Sequence, residues 1–365
     1  MKVLVSVFNN LYTDQRVEKV CQTLFDKGYE IELIGNNWGG LPKMERGYDF
    51  SRIELKTKVL RYAYVEFQRK LYLKLLEKAD QNTILLANDL DTLLPNYLIS
   101  KKLKIPLVYD SHEIFTEMPS VNGRFTQKIW RSLESFIAPK LKFMMTASES
   151  YADWFHKTYE IDRPIVVQNF PVKLENLQKY DEVSSPKIIL YQGVINPSRG
   201  LDKMIPVMQE IENAQFWIAG DGPRKQEYVE LTKSLGLENK IRFLGKITPQ
   251  ELRKITLKAD VGLSIEENNG LSYYFSMPNK ISDYIQARVP VVVSDFPEMR
   301  KVVDQFHAGE KIENYDQLAE KINVVLKNGK QYYQNSLDSA ANQLCWENEA
   351  PKIIGLFQKV ETTQS

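Results

Sequence analysis

Three segments carry residue types and spacings suited to a phosphorylated ligand. The most informative is ENNGLSYYFSMPNKISDYIQARVPVVVSD, 267–295. Pro278-Asn279-Lys280 opens a predicted helix. Proline is favoured in a helix's first turn, the unpaired N–H groups there attract phosphate oxygens, and Lys280 adds a point charge beside them. Asp283 follows on the same helical face, where a carboxylate can accept two ribose hydroxyl hydrogens. A surface Lys280–Asp283 pair is the plain structural alternative, but the flanks SYYFSM and VPVVVS are apolar. The second segment is QGVINPSRGLDKMI, 192–205. A strand ends at Gly193, Arg199 offers a fixed forked cation, and Gly200 lets backbone approach a ligand ahead of a helix. A surface arginine at a strand-to-helix turn would give the same pattern. The third is FWIAGDGPRKQEY, 216–228. Its Gly220-Asp221-Gly222-Pro223 is by itself only a tight turn. No GxGxxG occurs, and the first turn, NNLYTD, has no glycine, so dinucleotide binding of the dehydrogenase type is unsupported.

A second set of polar residues follows the early strands. His112 is one of three histidines and comes just after VYD, with Asp110 and Glu113 beside it. Its place at the carboxyl end of a strand favours a functional over a merely structural ring. No second histidine stands at zinc-binding spacing, and Asp110 and Glu113 do not read as the paired acids of a hydrolase. Asp14 and Arg16 lie at the first strand-to-helix turn. They could orient an acceptor hydroxyl or close the domains, or simply cap the helix and decorate the surface. Asp89 and Asp91, in NDLDT, also fall at a strand end. DLD tempts a metal reading but looks like a strand-end turn.

The elements that must position these residues are apolar runs alternating with amphipathic stretches. Strands are expected at 2–8, 30–35, 83–87, 106–110, 142–147 and 164–168. A second set is expected at 187–192, 215–220, 240–244, 260–265 and 289–294. They are β-branched and apolar on both faces, as in covered parallel sheets. Helical patterns lie between them, at 14–27, 201–212, 224–236, 249–258 and 278–287. Alternation of this kind predicts an α/β chain with two doubly wound parallel-sheet domains facing across a cleft. The first runs over 1–170, a linker over 171–186 and the second over 187–344. Ligands of such sheets bind beyond the carboxyl ends of the strands.

Composition sets the limits. The chain has 365 residues, enough for two domains, and 48 basic against 47 acidic residues leave a net charge of +1. That balance offers no general attraction to nucleic acid. Two cysteines make neither a disulfide framework nor a thiolate metal site, so a cytoplasmic setting is expected. MKVLVSVFNN reads as a buried first strand rather than a signal peptide, and no apolar run is long enough to span a bilayer. The segment 56–78 holds seven basic and two acidic residues, with Tyr64, Phe67, Leu71 and Leu75 at helical spacing. It and 122–142, with Phe125 and Trp130, suit the surface of an anionic membrane. An ordinary core-facing helix with a basic outer face is the other reading.

Taken in order, QGxxxxxRGLD, IAGDGP, RFLGKITPQEL and PNKxxDYxxxxVPVVVSD resemble the C-terminal half of GT-B glycosyltransferases, in particular the retaining family 4. TDQRVEK, ANDLDTLLP and VYDSHEIFTEMP resemble the N-terminal acceptor-domain motifs of its polysaccharide enzymes. CWENEAPKIIGLFQKV is similar to the family's last helix, which returns to the first domain, here about 345–362. The resemblance covers about 1–360. It implies that Arg199 and Lys280 cradle a donor diphosphate, that Asp283 takes the place of the second glutamate of a Glu-x7-Glu element, and that Gly193, Gly220, Gly222, Gly245, Lys246 and Ile247 line the diphosphate and base. Asn279 belongs to the same donor set. Two departures stand out. Val194 replaces a frequent arginine, and the first glutamate falls on Phe275, leaving Glu266 or Glu267 to fill its place.

The resemblance further implies sugar transfer from a UDP- or GDP-sugar to a saccharide or lipid-linked acceptor, without an obligatory metal or other cofactor. His112 would support positive charge developing at the sugar through hydrogen bonding, and Asp14, Arg16, Asp89, Asp91 and Glu113 would line the acceptor side. A nucleotide-sugar 2-epimerase of the same architecture and a non-catalytic nucleotide-sugar-binding protein are the alternatives. A membrane-peripheral location would suit a lipid-linked acceptor.

Overall fold

The computed structural model describes residues 1–175 and 185–364. The chain divides into two compact units. One comprises Met1–Asn169 with the chain from Glu349 onward, and the other Phe170–Asn348. Most of the expected linker, 176–184, lies outside the described residues.

The first unit is built on a seven-stranded, wholly parallel sheet. Its strands are β1 (Lys2–Ser6), β2 (Glu30–Asn36), β3 (Asp49–Ile53), β4 (Thr83–Asn88), β5 (Leu107–Ser111), β6 (Phe143–Thr146) and β7 (Ile165–Val166). Their order across the sheet is β3-β2-β1-β4-β5-β6-β7. Helices α1 (Gln15–Asp26), α2 (Leu60–Lys78), α3 (Leu90–Leu103), α4 (Phe125–Ile137) and α5 (Glu149–Tyr159) connect them. Every residue of β4 is buried, as a central strand covered on both faces requires.

The second unit has six parallel strands in the order β10-β9-β8-β11-β12-β13. They are β8 (Lys187–Gln192), β9 (Ala214–Ala219), β10 (Ile241–Gly245), β11 (Val261–Ser264), β12 (Val291–Ser294) and β13 (Gly309–Ile312). Its helices are α6 (Leu201–Val207), α7 (Lys225–Ser234), α8 (Pro249–Lys258), α9 (Leu271–Tyr274), α10 (Asn279–Gln286), α11 (Pro297–Phe306) and α12 (Leu318–Gln343). A final helix, α13 (Trp346–Gln364), carries the chain back into the first unit. Strand order reverses between β1 and β4 in one unit and between β8 and β11 in the other. Those are the switch points where loops diverge and leave a crevice.

Local chemistry explains several boundaries. Asp14 caps α1 by accepting from the Val17 N–H at 3.0 Å. Thr248 and Glu251 form a reciprocal capping box at α8, with Pro249 in the first turn. Two strands escape the sequence pattern. DFSRI of β3 sits at a sheet edge with mostly half-exposed residues, and GEKI of β13 has only its two ends buried. Neither shows the long apolar run of a covered strand. The expected helix 201–212 stops at Val207, one residue beyond Pro206.

The apolar stripe of α2 points the other way from the membrane reading. Phe67, Leu71 and Leu75 have no exposure and belong to the core of the first unit, and Tyr64 packs on Phe8 with ring centres 4.5 Å apart. Trp130 of α4 is likewise half-buried against Phe115. Amphipathic spacing alone could not say which side of the helix met the sheet.

α10 is seated on its sheet by one aromatic ring. Tyr284 lies over Gly262 of β11, where a Cβ would come within 2.4 Å of the ring. The Tyr284 hydroxyl donates to the Leu190 carbonyl at 3.1 Å and accepts from the Gln192 N–H at 3.1 Å. Substituting Gly262→Val should therefore force the ring and α10 outward. The expected cost is about 1–3 kcal/mol, read as a lower urea midpoint at unchanged slope; a wild-type midpoint would show that the seat is not tight.

Candidate functional site

In the first unit the polar residues gather at the carboxyl ends of β4 and β5. Asp110, fully buried on β5, is gripped by Arg16 of α1 through two parallel bonds, Nε to Oδ2 at 3.0 Å and Nη2 to Oδ1 at 2.6 Å. The third nitrogen, Nη1, donates to the Val167 carbonyl at 2.5 Å. Arg16 is thus committed inside the protein and works as a strut from α1 to β5 and the end of β7. Neither a decorative surface arginine nor a free acceptor ligand describes it. Burial pushes the Asp110 carboxyl up, but Arg16 and His112 outweigh burial and hold it at about 2.

His112 completes this cluster. Its Nδ1 lies 3.2 Å from Asp89 Oδ2, and its Nε2 lies 3.1 Å from Asn88 Oδ1 and 3.4 Å from Asp110 Oδ2. The His112 N–H donates to Asp89 Oδ1 at 2.9 Å. Burial works against a charged ring here, but Asp89 and Asp110 outweigh it and raise His112 to about 9. The ring is therefore an imidazolium at neutral pH, donating from both nitrogens. Any part that His112 plays toward a sugar would therefore be by hydrogen bonding from a ring N–H.

Asp89 is held in a costly conformation to serve this ring. Its φ of 59° with ψ of 167° lies in a region that almost only glycine visits, at a cost of about 1–3 kcal/mol. Its N–H bonds the Asp110 carbonyl at 2.9 Å, which helps to keep it there. Asp91, in the first turn of α3, is buried, and its Oδ1 has no hydrogen-bond partner among the described residues. Burial, and then Asp89, push its carboxyl well up. Glu113 is half-buried, and its charge adds to the same effect on Asp91 and Tyr64. Asp14 is bound to Asn9 Nδ2 at 2.7 Å as well as capping α1. Asn88 was not anticipated; it anchors the ring while donating to the Ser6 carbonyl at 3.1 Å, and its only sequence signal is its position at a strand end.

In the second unit Arg199, Glu266 and Lys280 meet beyond the ends of β8 and β11. Lys280 Nζ lies 2.5 Å from Glu266 Oε1, and Arg199 Nη1 lies 3.5 Å from the same oxygen. Ser264 donates to Glu266 Oε2 at 2.8 Å. Burial raises the Glu266 carboxyl, but Lys280 and Arg199 overcome it and the net shift is downward. Burial lowers Lys280 more than Glu266 lifts it. Two cations on one carboxylate leave one positive charge uncompensated, a surplus suited to an anion. Both cations rest on aromatic faces, Lys280 4.4 Å from the centre of Tyr191 and Arg199 4.8 Å from that of Tyr273. Glu266, not Glu267, is the carboxylate brought to this cluster. The Glu267 N–H instead bonds the Ser198 carbonyl at 3.0 Å.

The glycines hold the surrounding loops close. At Gly200, φ is 71° and a Cβ would meet the Ile265 carbonyl at 2.2 Å; at Gly220, φ is 153° and the Gly193 carbonyl would be 1.8 Å away. Both positions exclude a side chain on space and conformation together. Gly193 and Gly222 lie in the same pair of loops, and Gly222 would meet the Ile195 carbonyl at 2.4 Å. Gly245 ends β10 and its carbonyl accepts from Gly220 at 2.9 Å. Lys246 is exposed and Ile247 packs on the core, so this turn is tethered rather than drawn into the ionic cluster. Asn279 is the first residue of α10, whose start has no side-chain cap. Asp283 Oδ2 accepts from Gln192 Nε2 at 3.0 Å, and Gln192 Oε1 accepts from Thr256, a relay the sequence did not disclose. Val194 is exposed and Phe275 half-buried against Tyr274, so neither supplies a charge. Among the described residues no three metal-ligating side chains come together.

Two parallel α/β units with an anion-seeking cluster at one switch point and a histidine–carboxylate cluster at the other describe the GT-B class of fold. Comparison with known proteins agrees. The family model "Glycosyl transferases group 1" matches 172–343, and "Glycosyltransferase Family 4" matches 14–175. The chain belongs to this glycosyltransferase family. A curated relative, the uncharacterized glycosyltransferase MJ1607 of Methanocaldococcus jannaschii, is 26% identical over 47% of the chain and 45% of its own length. The lipopolysaccharide core biosynthesis glycosyltransferase LpsD of Rhizobium meliloti is 33% identical over 16% of the chain and 17% of its length. The chain therefore matches less than half the length of either relative. Among solved structures, Anabaena HepE in complex with UDP-glucose superposes with a TM-score of 0.69 at 14% identity, covering all of this chain and 99% of that one.

Two outcomes follow from these geometries. Arg16→Ala leaves Asp110 buried and unpaired, and should cost about 3–5 kcal/mol of stability, seen in urea unfolding; a loss under 1 kcal/mol would mean that water replaces the guanidinium. His112 gains a proton's worth of stability on folding because its folded value, about 9, exceeds its reference value of 6.5. That contribution is complete below pH 6.5 and is lost as pH rises through about 9. The stability gap between wild type and His112→Gln should shrink accordingly, and a gap independent of pH would contradict the imidazolium.

Proposed function

We propose that this chain is a retaining glycosyltransferase that moves a sugar from a nucleoside-diphosphate donor to a saccharide or lipid-linked acceptor in glycoconjugate synthesis. The observation that carries the reading is the Arg199–Glu266–Lys280 cluster, with its surplus positive charge beside an uncapped helix start and glycine-tightened loops. It suits a diphosphate leaving group, whose developing charge needs fixed cations rather than a metal. Asp283, held by Gln192, would accept from ribose hydroxyls. The UDP-glucose bound by HepE supports a UDP-sugar, and a GDP-sugar fits the same chemistry.

Transfer would proceed by same-face attack. The acceptor hydroxyl oxygen bonds to the anomeric carbon as the bond to the phosphate oxygen breaks. Its proton passes to the departing diphosphate, which Arg199 and Lys280 stabilise. His112, charged and held at Nδ1 by Asp89, would exchange its Nε2 contact with Asn88 for a sugar hydroxyl or phosphate oxygen. Asp91 and Glu113 stand on the same side of the first unit, as groups that could accept from acceptor hydroxyls. No step in this scheme calls on a metal.

A membrane-held acceptor would need a surface to match. No helix among the described residues is long and apolar enough to cross a bilayer. The support now comes from α4, whose Phe125, Ile129 and Phe136 are exposed along one stripe, with Arg124, Lys128 and Arg131 around it. Such a face suits anionic lipid.

The donor site is tested by calorimetric titration with UDP, GDP and ADP without metal, repeated on Arg199→Ala and Lys280→Ala. Micromolar binding of one diphosphate is expected, weakened about tenfold or more in each variant, as for a charge-assisted bond of ~1.5–3 kcal/mol. Binding that survives both substitutions, or silence towards all three and their sugar-bearing forms, would sink the reading. Tight donor binding with no transfer to any acceptor would instead mark a nucleotide-sugar-binding protein.

A further inference from the structure

A separate cavity opens at the other end of the first unit's sheet. It has a volume of about 310 Å³, at the small end of the ~300–1,000 Å³ usual for ligand sites. Its walls come from the last turn of α3, the amino ends of β5 and β6, the turn after α4, and α13. All of them belong to one unit. His112 lies at the opposite, carboxyl end of β5, so this cavity is no part of the site above.

Its chemistry is one-sided. Lys101, Lys104, Lys140 and Lys142 converge on it from two separate segments, and among the described residues no carboxylate lines it. None of the four makes an ion pair among the described residues. Lys101 and Lys104 alone could be explained as cations complementing the carboxyl end of α3. Lys140 and Lys142 follow the carboxyl end of a different helix, α4, and a helix end by itself does not account for two such pairs meeting at one cavity. Two of the lysines rest against rings, Lys101 Nζ 5.6 Å from the centre of Tyr97, which lines the cavity, and Lys140 Nζ 3.0 Å from that of the neighbouring Phe136. The two rings pack edge to face, 6.3 Å apart. Lys104 ends α3 in a left-handed conformation, φ 55°, and Ser100 Oγ binds the Ile105 carbonyl at 2.6 Å, so this wall is shaped by fixed backbone.

We propose that this cavity is a second anion site, which takes a phosphomonoester or diphosphate group. Ammonium groups are the point charges by which lysine binds phosphate. Four of them around one small cavity repel one another until an anion of more than one charge enters. The ring of Tyr97, with Phe136 packed edge to face behind it, suits whatever carries that phosphate, a soluble molecule or the headgroup of a lipid.

The test is lysine acylation read by peptide mass spectrometry on the full chain, with inorganic pyrophosphate in one arm. The other arm compares phosphatidylcholine vesicles with and without phosphatidic acid. Labelling of Lys104 and Lys142 should fall about tenfold, as at ~90% occupancy, while exposed Lys43 and Lys157 stay reactive. Protection by pyrophosphate identifies a soluble source, and protection only by phosphatidic acid a lipid one. The double variant Lys104→Glu, Lys142→Glu should melt like wild type and lose protection at Lys101 and Lys140. Unchanged labelling in every arm, equal protection of Lys43 and Lys157, or protection that survives in the double variant would overturn the proposal. The readout is confined to these lysines, so it is independent of donor binding.

Discussion

Burying a charge in a protein is tolerable only when the charge is paired and its remaining hydrogen-bonding capacity is met. Asp110 is the clearest case in the first unit. With no exposed surface, it depends on Arg16 for both oxygens and lies beside His112 as well. From that single requirement much else follows. α1 must dock where its guanidinium can reach across to β5. The end of β7 must offer the Val167 carbonyl. His112 must stay charged to balance Asp89 and Asp110. The pair is better regarded as a device for geometry than as a source of stability, because its desolvation cost offsets most of its Coulomb attraction.

The second unit solves a related problem differently. Glu266 is buried beneath two cations, yet the cluster is left with a positive excess. An internal carboxylate keeps Lys280 and Arg199 from repelling each other and sets both against aromatic rings. The cations are pre-positioned, so the diphosphate proposed for this site would not have to order two long flexible side chains, a saving of several rotamers' worth of entropy. The surplus charge is what remains to attract it. Structure and energetics thus point to the same end of the same sheet, where the switch between β8 and β11 opens the loops.

The two clusters share a construction principle. Each takes its residues from loops that follow different strands, and each uses a residue that local rules disfavour. In the first unit that residue is Asp89, with a backbone conformation nearly reserved for glycine; in the second it is the Gly200 and Gly220 turns, packed against carbonyls with no room for a methyl group. Strain and close approach of this kind persist only when surrounding contacts over-determine them.

Much of this was legible in the residues themselves. Apolar runs covered on both faces marked eleven of the strands, because a parallel sheet between helices leaves no polar face. Position after those strands marked His112, Asp89 and Arg199, because the chain can reach a crevice only from strand ends, and the Pro278-Asn279-Lys280 helix start marked Lys280. What the residues could not show was which side chains would use their charge internally. Arg16 and Asp110 are ninety-four positions apart, and the loop that brings Glu266 to Lys280 has no period to read. The stripe of Phe67, Leu71 and Leu75 has the same spacing whether it faces lipid or a sheet; only packing turned it inward. Edge strands β3 and β13 gave too little apolar signal to be seen. Local sequence determines periodicity, caps and turns, since these depend on neighbours a few residues away. Partnership between distant charges was decided by the tertiary structure, because only there do distance and burial set what a charge is worth.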